Sequence, residues 1–242
     1  MLRILQKEIN NFFNSFVAYI VIIVFLVGIG LVSWVFPQSN ILDYGYANLD
    51  PLFNMAPYVF LFLIPAITMR TFAEETKSGT IELLLTRPLT DLQIVLGKFL
   101  ASFLLVVFAL IPTLIYYFSV YKLGTPAGNI DTAAVTGSYI GLLMLAAVFT
   151  SIGIFSSSVT DNQIVAFVLA IFLCFIFYDG FSSIASINIW SDYSFFISQL
   201  GIDYHYQSLS RGLIDIRNLA YFLSLITLMV FLTKMALESR KW

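Results

Sequence analysis

Charge in this chain gathers where contact with a water-soluble partner is possible. Eight of the 26 charged residues fall in the 29 positions from Arg70 to Lys98: Arg70, Glu74, Glu75, Lys77, Glu82, Arg87, Asp91 and Lys98. These side chains read either as ordinary solvated charge or as contacts for a partner in water; none is set beside a nucleophile and a base. His205 and Cys174 are the single histidine and the single cysteine. With no second His, Cys or carboxylate at ligand spacing, His205 is read as structural rather than as a metal ligand. Cys174 lies in an apolar run, has no internal disulfide partner and is read as a packing residue. There is no G-x-x-x-x-G-K-[ST] phosphate loop, so the chain is not expected to bind ATP itself. No cofactor, no metal and no catalytic residue are expected. Asp179 has two readings, a membrane-embedded functional acid or a carboxylate at the lipid headgroups.

The elements that position these residues follow from composition. The chain of 242 residues is 60% hydrophobic and 11% charged, against about 25% charged in an ordinary soluble domain. Charge is absent from Ile9–Leu42, Pro51–Met69, Phe99–Tyr121, Thr132–Thr160, Asn162–Tyr178 and Asn218–Thr233. A helix crosses the hydrocarbon layer with roughly 20 apolar residues. The last two runs reach that length if Asp179 sits at the headgroups and Lys234 snorkels outward. The expected fold is an all-α membrane protein, one transmembrane domain over 1–242. Its six transmembrane helices are expected at about 16–36, 53–71, 99–121, 133–156, 164–183 and 219–237. Solid apolar runs exclude a transmembrane β-barrel, which alternates weakly over about ten residues. The net charge of −2 and the lack of a basic patch give no argument for nucleic acid.

Leu2–Phe16 reads as an interfacial helix, with Leu5, Ile9, Phe12, Phe13 and Phe16 on one face and Gln6, Lys7, Asn10, Asn11 and Asn14 on the other. The alternative is the watery end of the first span, and one continuous helix would serve as both. The apolar stretch is too long for a signal-peptide core and is read as an uncleaved span. Pro57 and Pro65 fall inside the second span, as static kinks or as hinges.

Residues 70–98 read as a short helix, a turn and a helix entry. Glu74–Leu85 is expected to form helical turns broken at Gly79, and Pro88 ends them. Thr90 and Gln93 have the spacing of a capping box. Leu83, Leu84 and Leu85 cannot all share one side of a helix, so at least one is expected to meet lipid or a partner. Arg70 and Lys98 are expected at the lipid boundary, and Glu75 and Glu82 are expected to face a partner. Thr160 or Asp161 is expected to cap the fifth span. The mixed segment Ser186–Arg217, with Trp190, Tyr193, Phe195, Phe196, Tyr204 and Tyr206, suits short helices at the outer membrane surface. Small residues of the fourth and fifth spans (Gly141, Ala146, Ala147, Ser151, Gly153, Ala166, Ala170) permit close helix approach, within the subunit or across a dimer.

With six spans and both ends on one side, that side carries nine of the twelve cations, among them Arg70, Lys77, Arg87 and Lys98. The excess predicts that both termini and residues 70–98 are cytoplasmic.

The segment resembles type-2 ABC transporter permeases. The resemblance is carried by Arg70, the pair Glu74–Glu75, Gly79-Thr80-Ile81-Glu82, leucines 83–85, Pro88 and Gly97-Lys98. The run SRGLIDIRNLAYFLSL from Ser210 and the ending ESRKW are similar to the branch that holds gliding-motility and nitrous-oxide accessory permeases. The resemblance covers the whole chain. It implies a bacterial inner-membrane, multi-pass, non-catalytic subunit coupled to ATP hydrolysis by a separate ATPase. It also implies a cytoplasmic coupling helix between spans two and three, built from Arg70, Glu74, Glu75, Gly79, Thr80, Glu82, Leu85, Pro88 and Lys98. The implied partners are a GldA-like ATPase, a second GldG-like membrane subunit and membrane lipid. Two rival readings stand beside this: a membrane scaffold, and a secondary transporter without ATPase coupling. The latter predicts ionisable residues at mid-membrane, and apart from Asp179 the spans carry none. An intramembrane enzyme is disfavoured because no acid, His and Cys converge.

Overall fold

The structure, a computed structural model, describes residues 1–43, 45–80, 90–187, 193–213 and 215–239, with Val17 described by its backbone alone. Every regular element among these residues is a helix.

The amphipathic α1 (Leu2–Phe13) ends at Asn14, and the apolar α2 (Phe16–Trp34) follows. The axes of α1 and of Ala18–Trp34 differ by 71°, so the continuous helix does not form. The reason is chemical: α1 keeps a polar face that α2 cannot carry into lipid. Next come α3 (Asp50–Thr68), started by Pro51, and the short α4 (Ala73–Lys77). The third span opens at Asp91, eight residues before the charge-free run. Its first part, α5 (Asp91–Leu110), gives way at Pro112 to a 3-10 turn (Ile111–Thr113) and then α6 (Leu114–Leu123). Proline lacks the N–H that an unbroken helix needs. The 28-residue α7 (Thr132–Val159) is the fourth span. The fifth is α8 (Gln163–Phe175), a π-helical turn (Ile176–Gly180) and α9 (Phe181–Ala185). Two short helices, α10 (Ser194–Gln199) and α11 (Ile202–Ser210), lead to the last span, α12 (Ile216–Glu238). Among the described residues five stretches are long and apolar enough to cross a membrane, six if the bent pair of α1 and α2 is counted as one span.

The caps follow local chemistry. Thr90 and Gln93 form the expected capping box, each side chain accepting from the other's backbone N–H. Asp131 accepts from Ala133 and Ala134 at the start of α7. The cap of α8 is Asn162, which accepts from Ile164 N, rather than Thr160 or Asp161. Thr160 instead accepts from Asn162 N, setting the turn before the cap.

The core is built around α7. Its most apolar window is 78% buried, against 22% for the windows of Gln163–Ala185 and α12. It packs against α3, α5, α8, α11 and α12. The small residues act within the subunit. A Cβ on Gly153 would fall on Thr68 Oγ1 of α3, and one on Gly141 would meet Leu209 and Tyr206 of α11. Ala166 and Ala170 are buried as well. Phe25 of α2 stacks on Phe60 of α3, with centroids 5.6 Å apart. Large apolar side chains left exposed, such as Ile23, Val168, Phe172 and Phe231, lie on the outer surface of spans, where lipid is the solvent.

The 186–217 segment holds short helices as expected; Trp190 and Asp192 lie outside the described residues. Tyr206 donates to the Phe53 carbonyl at 2.7 Å and joins α11 to α3. His205 is structural: Nε2 lies 2.9 Å from the Gln199 carbonyl, Nδ1 2.8 Å from Asn218 Oδ1, and the ring stacks on Tyr221. Burial raises the Asp203 carboxyl above the usual carboxylate range, with hydrogen bonds from Gln207 and Tyr178 opposing the rise. Asp179 accepts from Ser183 inside the fifth span, at its π-helical turn.

Candidate functional site

The chain leaves α3 at Thr68, makes a turn through Met69–Phe72 and enters α4. At 100° per residue, Phe72 and Glu75 share one face of this short element, and Glu74, Lys77 and Ser78 share the opposite face. Phe72 and Ala73 are fully buried, which fixes the roll of the helix. Glu74, Lys77, Ser78, Gly79 and Thr80 are exposed, and Glu75 is turned inward. Gly79 ends α4 with φ of +69°, a left-handed conformation that glycine adopts without a Cβ penalty. Ser78 Oγ bonds the Glu74 carbonyl at 2.8 Å and meets Thr80 Oγ1 at 2.9 Å, closing the turn on itself.

Two clamps hold this element against the spans. The first is Lys98 of α5, 1% exposed. Its ammonium lies 2.9 Å from Glu75 Oε2, 3.0 Å from Glu8 Oε1 of α1 and 4.9 Å from the Phe72 ring centroid, and it donates to the Thr71 carbonyl. Lys7 completes the ring, 3.1 Å from Glu75 and 3.9 Å from Glu8. A single lysine thus ties α1, the α3–α4 turn and α4 to α5. The second clamp is Ser157 of α7. Its hydroxyl donates to the Met69 carbonyl and accepts from the N–H groups of Phe72 and Ala73, each at 3.0 Å. These are backbone groups that the end of α3 and the start of α4 leave unpaired.

Sequence expectation and structure differ at two residues. Lys98 is not exposed on the surface of its span but buried inside the protein, because three neighbouring elements bring it two carboxylates and a carbonyl. Glu75 does not face outward, because it answers that buried charge. Arg70 lines a cavity of about 530 Å³ between α1, the end of α3, α4 and α5, and its Nε is buried with no hydrogen-bond partner among the described residues. Glu74, Gly79 and Thr80 lie together on the exposed side. Glu82, Leu85 and Pro88, with leucines 83 and 84 and Arg87, lie outside the described residues.

Glu8, Lys7 and Ser157 touch the candidate site, and the sequence reading did not connect them to residues 70–98. A signal existed for Glu8. A lysine at the edge of a long apolar run demands a counter-charge, and Glu8 stands one turn after Ile4. That side chain packs on Gly97, the residue before Lys98. Ser157 had no such signal within its polar run.

A family model described as ABC-2 family transporter protein matches residues 4–239 of the chain. No curated protein matches it.

Proposed function

The chain belongs to the ABC-2 transporter family and is a multi-pass membrane permease subunit of an ABC transporter, and we propose that α4 and the turn after it are where its ATP-binding cassette partner pushes. The observation that carries this reading is the two-sided character of α4. Its inner face is clamped to α5 through Lys98 and to α7 through Ser157. Its outer face offers Glu74, Lys77, Ser78 and Thr80 to water. A conformational change needs a partner with different contacts in two states, and an element rigidly joined to two spans passes such contacts on as movement.

The excess of cations on the side of residues 70–98 supports a cytoplasmic location for this face and for both termini, in a bacterial inner membrane. The finer resemblance is to the gliding-motility permease GldF. On that resemblance the complex serves gliding motility, with a GldA-like ATPase and a GldG-like second membrane subunit. Glu75 serves here as a positioning residue, and Glu74 as the contact.

The test is to coexpress the chain with its cassette ATPase. Glu74→Arg is expected to reduce copurification of the ATPase by roughly tenfold, about 1.4 kcal/mol, and to abolish permease-stimulated ATP turnover. Wild-type values of both in a variant with unchanged thermal unfolding would overturn the reading and favour a scaffold.

A further inference from the structure

The cavity beside α4 shares Glu74 with the coupling face but also holds Arg70, which coupling does not use. Its volume, about 530 Å³, is in the range of small-molecule sites. The charges around it divide into two groups. Lys7, Glu8, Glu75 and Lys98 answer one another in a closed ring. Arg70 and Glu74, one helical turn apart, line the same cavity and enter none of the ion pairs among the described residues. The Arg70 Nε is also buried and without a hydrogen-bond partner among those residues, a position that costs free energy until something accepts from it. Asn11 and Asn14 of α1 add neutral polar groups, and Phe12, Ile67 and Leu105 give the cavity an apolar side. α1 itself has the amphipathic pattern of a helix lying at the membrane surface.

Among the described residues, one unanswered cation, one unanswered carboxylate and an apolar wall beside the amphipathic α1 describe the complement of a zwitterion with a tail. We propose that this cavity binds a phosphoethanolamine group, supplied by a phosphatidylethanolamine lipid: Arg70 holds the phosphodiester and Glu74 the ammonium. The acyl chains leave along Phe12, Ile67 and Leu105. A purely anionic headgroup fits worse, since it meets Glu74 with no positive group of its own to offset it. A simple cation leaves Arg70 unanswered. Charge-assisted bonds to a guanidinium and a carboxylate are the strong contacts of such a site. Glu74 serves both readings, but lipid retention is measured on the chain without an ATPase and Arg70→Gln leaves Glu74 in place, so failure of the site and failure of coupling are told apart.

The full chain, purified in detergent and washed free of native lipid, is offered dihexanoyl-phosphatidylethanolamine, dihexanoyl-phosphatidylglycerol or glycerophosphoethanolamine. Native mass spectrometry then counts what is retained. The ethanolamine lipid is expected to exceed the glycerol lipid by roughly tenfold, the worth of one charge-assisted hydrogen bond, and to exceed the chainless headgroup. Arg70→Gln is expected to lose about the same factor, with partial recovery in Arg70→Lys. Glu74→Gln is expected to abolish the preference between the two lipids. Ala66→Phe, which narrows the cavity without touching either charge, is expected to lose both. Equal retention of the two lipids by the wild type, or wild-type retention by Arg70→Gln, overturns the proposal. Retention of glycerophosphoethanolamine equal to that of the lipid overturns the lipid source and leaves a soluble ligand. Should both Arg70 variants fail to fold by circular dichroism, Glu74→Gln and Ala66→Phe decide: an unchanged preference in the first or unchanged retention in the second overturns it.

Discussion

Lys98 sets the terms at the scale of single residues. An ammonium 1% exposed between two carboxylates that are 15–17% exposed is held by its partners, and its desolvation is offset only while both remain. Removing one member of such a network costs about 3–5 kcal/mol, whereas replacing all of it with neutral groups costs much less. Lys98→Met is therefore expected to lower the thermal unfolding midpoint sharply in detergent. The triple variant Lys98→Met, Glu8→Gln, Glu75→Gln is expected to regain most of that loss. Lys7→Met, at a position 51% exposed, is expected to change stability by less than about 1 kcal/mol. Equal losses in Lys98→Met and Lys7→Met would show that Lys98 is not the residue on which α1, α4 and α5 converge.

Among the elements, helix contacts made by small residues decide how the push travels. Gly153 lets α3 and α7 approach until Thr68 covers the space a Cβ would need, while Gly28 of α2 has nothing within 4 Å of that position. Gly153→Val is expected to part α3 from α7 and destabilise the fold by about 1–3 kcal/mol, the usual cost of overpacking. Gly28→Val is expected to leave the unfolding midpoint unchanged. Thermal melts of the two variants check the pair, and a loss in Gly28→Val as large as in Gly153→Val would sink the argument. Much of this level was legible in the sequence. Apolar runs gave the spans, Thr90 and Gln93 gave the start of α5, and Gly79 gave the end of α4. The amphipathic pattern of Leu2–Phe16 gave α1 as a helix of its own, and the 71° bend agrees with it. The inward turn of Glu75 was not legible: it depends on which face of a helix meets a neighbour distant in sequence, and helical periodicity names faces without naming what they touch. For the same reason the list Gly141–Ala170 identified close contacts but not whether they lay within one subunit.

For the molecule as a whole, the prediction concerns sidedness. The one cysteine, Cys174, is buried, so an introduced thiol at an exposed position is the one a maleimide reaches. Thr80→Cys is expected to react with a membrane-impermeant maleimide in inverted vesicles and not in intact cells, and Tyr204→Cys on α11 is expected to do the reverse. Reaction of Thr80→Cys from outside would overturn the orientation. A last consequence concerns the thickness of the bilayer. At 1.5 Å per residue, α7 with its 28 residues is roughly 42 Å long and α2 with its 19 roughly 28 Å. A hydrocarbon layer about 30 Å deep matches α2 and is far too thin for α7. Yet α7 is wrapped by its neighbours, and it is bonded to other elements towards its two ends at Ser138 and Ser157. Its surplus length therefore meets protein rather than acyl chains and carries no mismatch cost. The helices that expose the most apolar surface, α2, α8 and α12 among them, feel the bilayer, so a thicker or thinner membrane strains the rim of the molecule more than the rod at its centre.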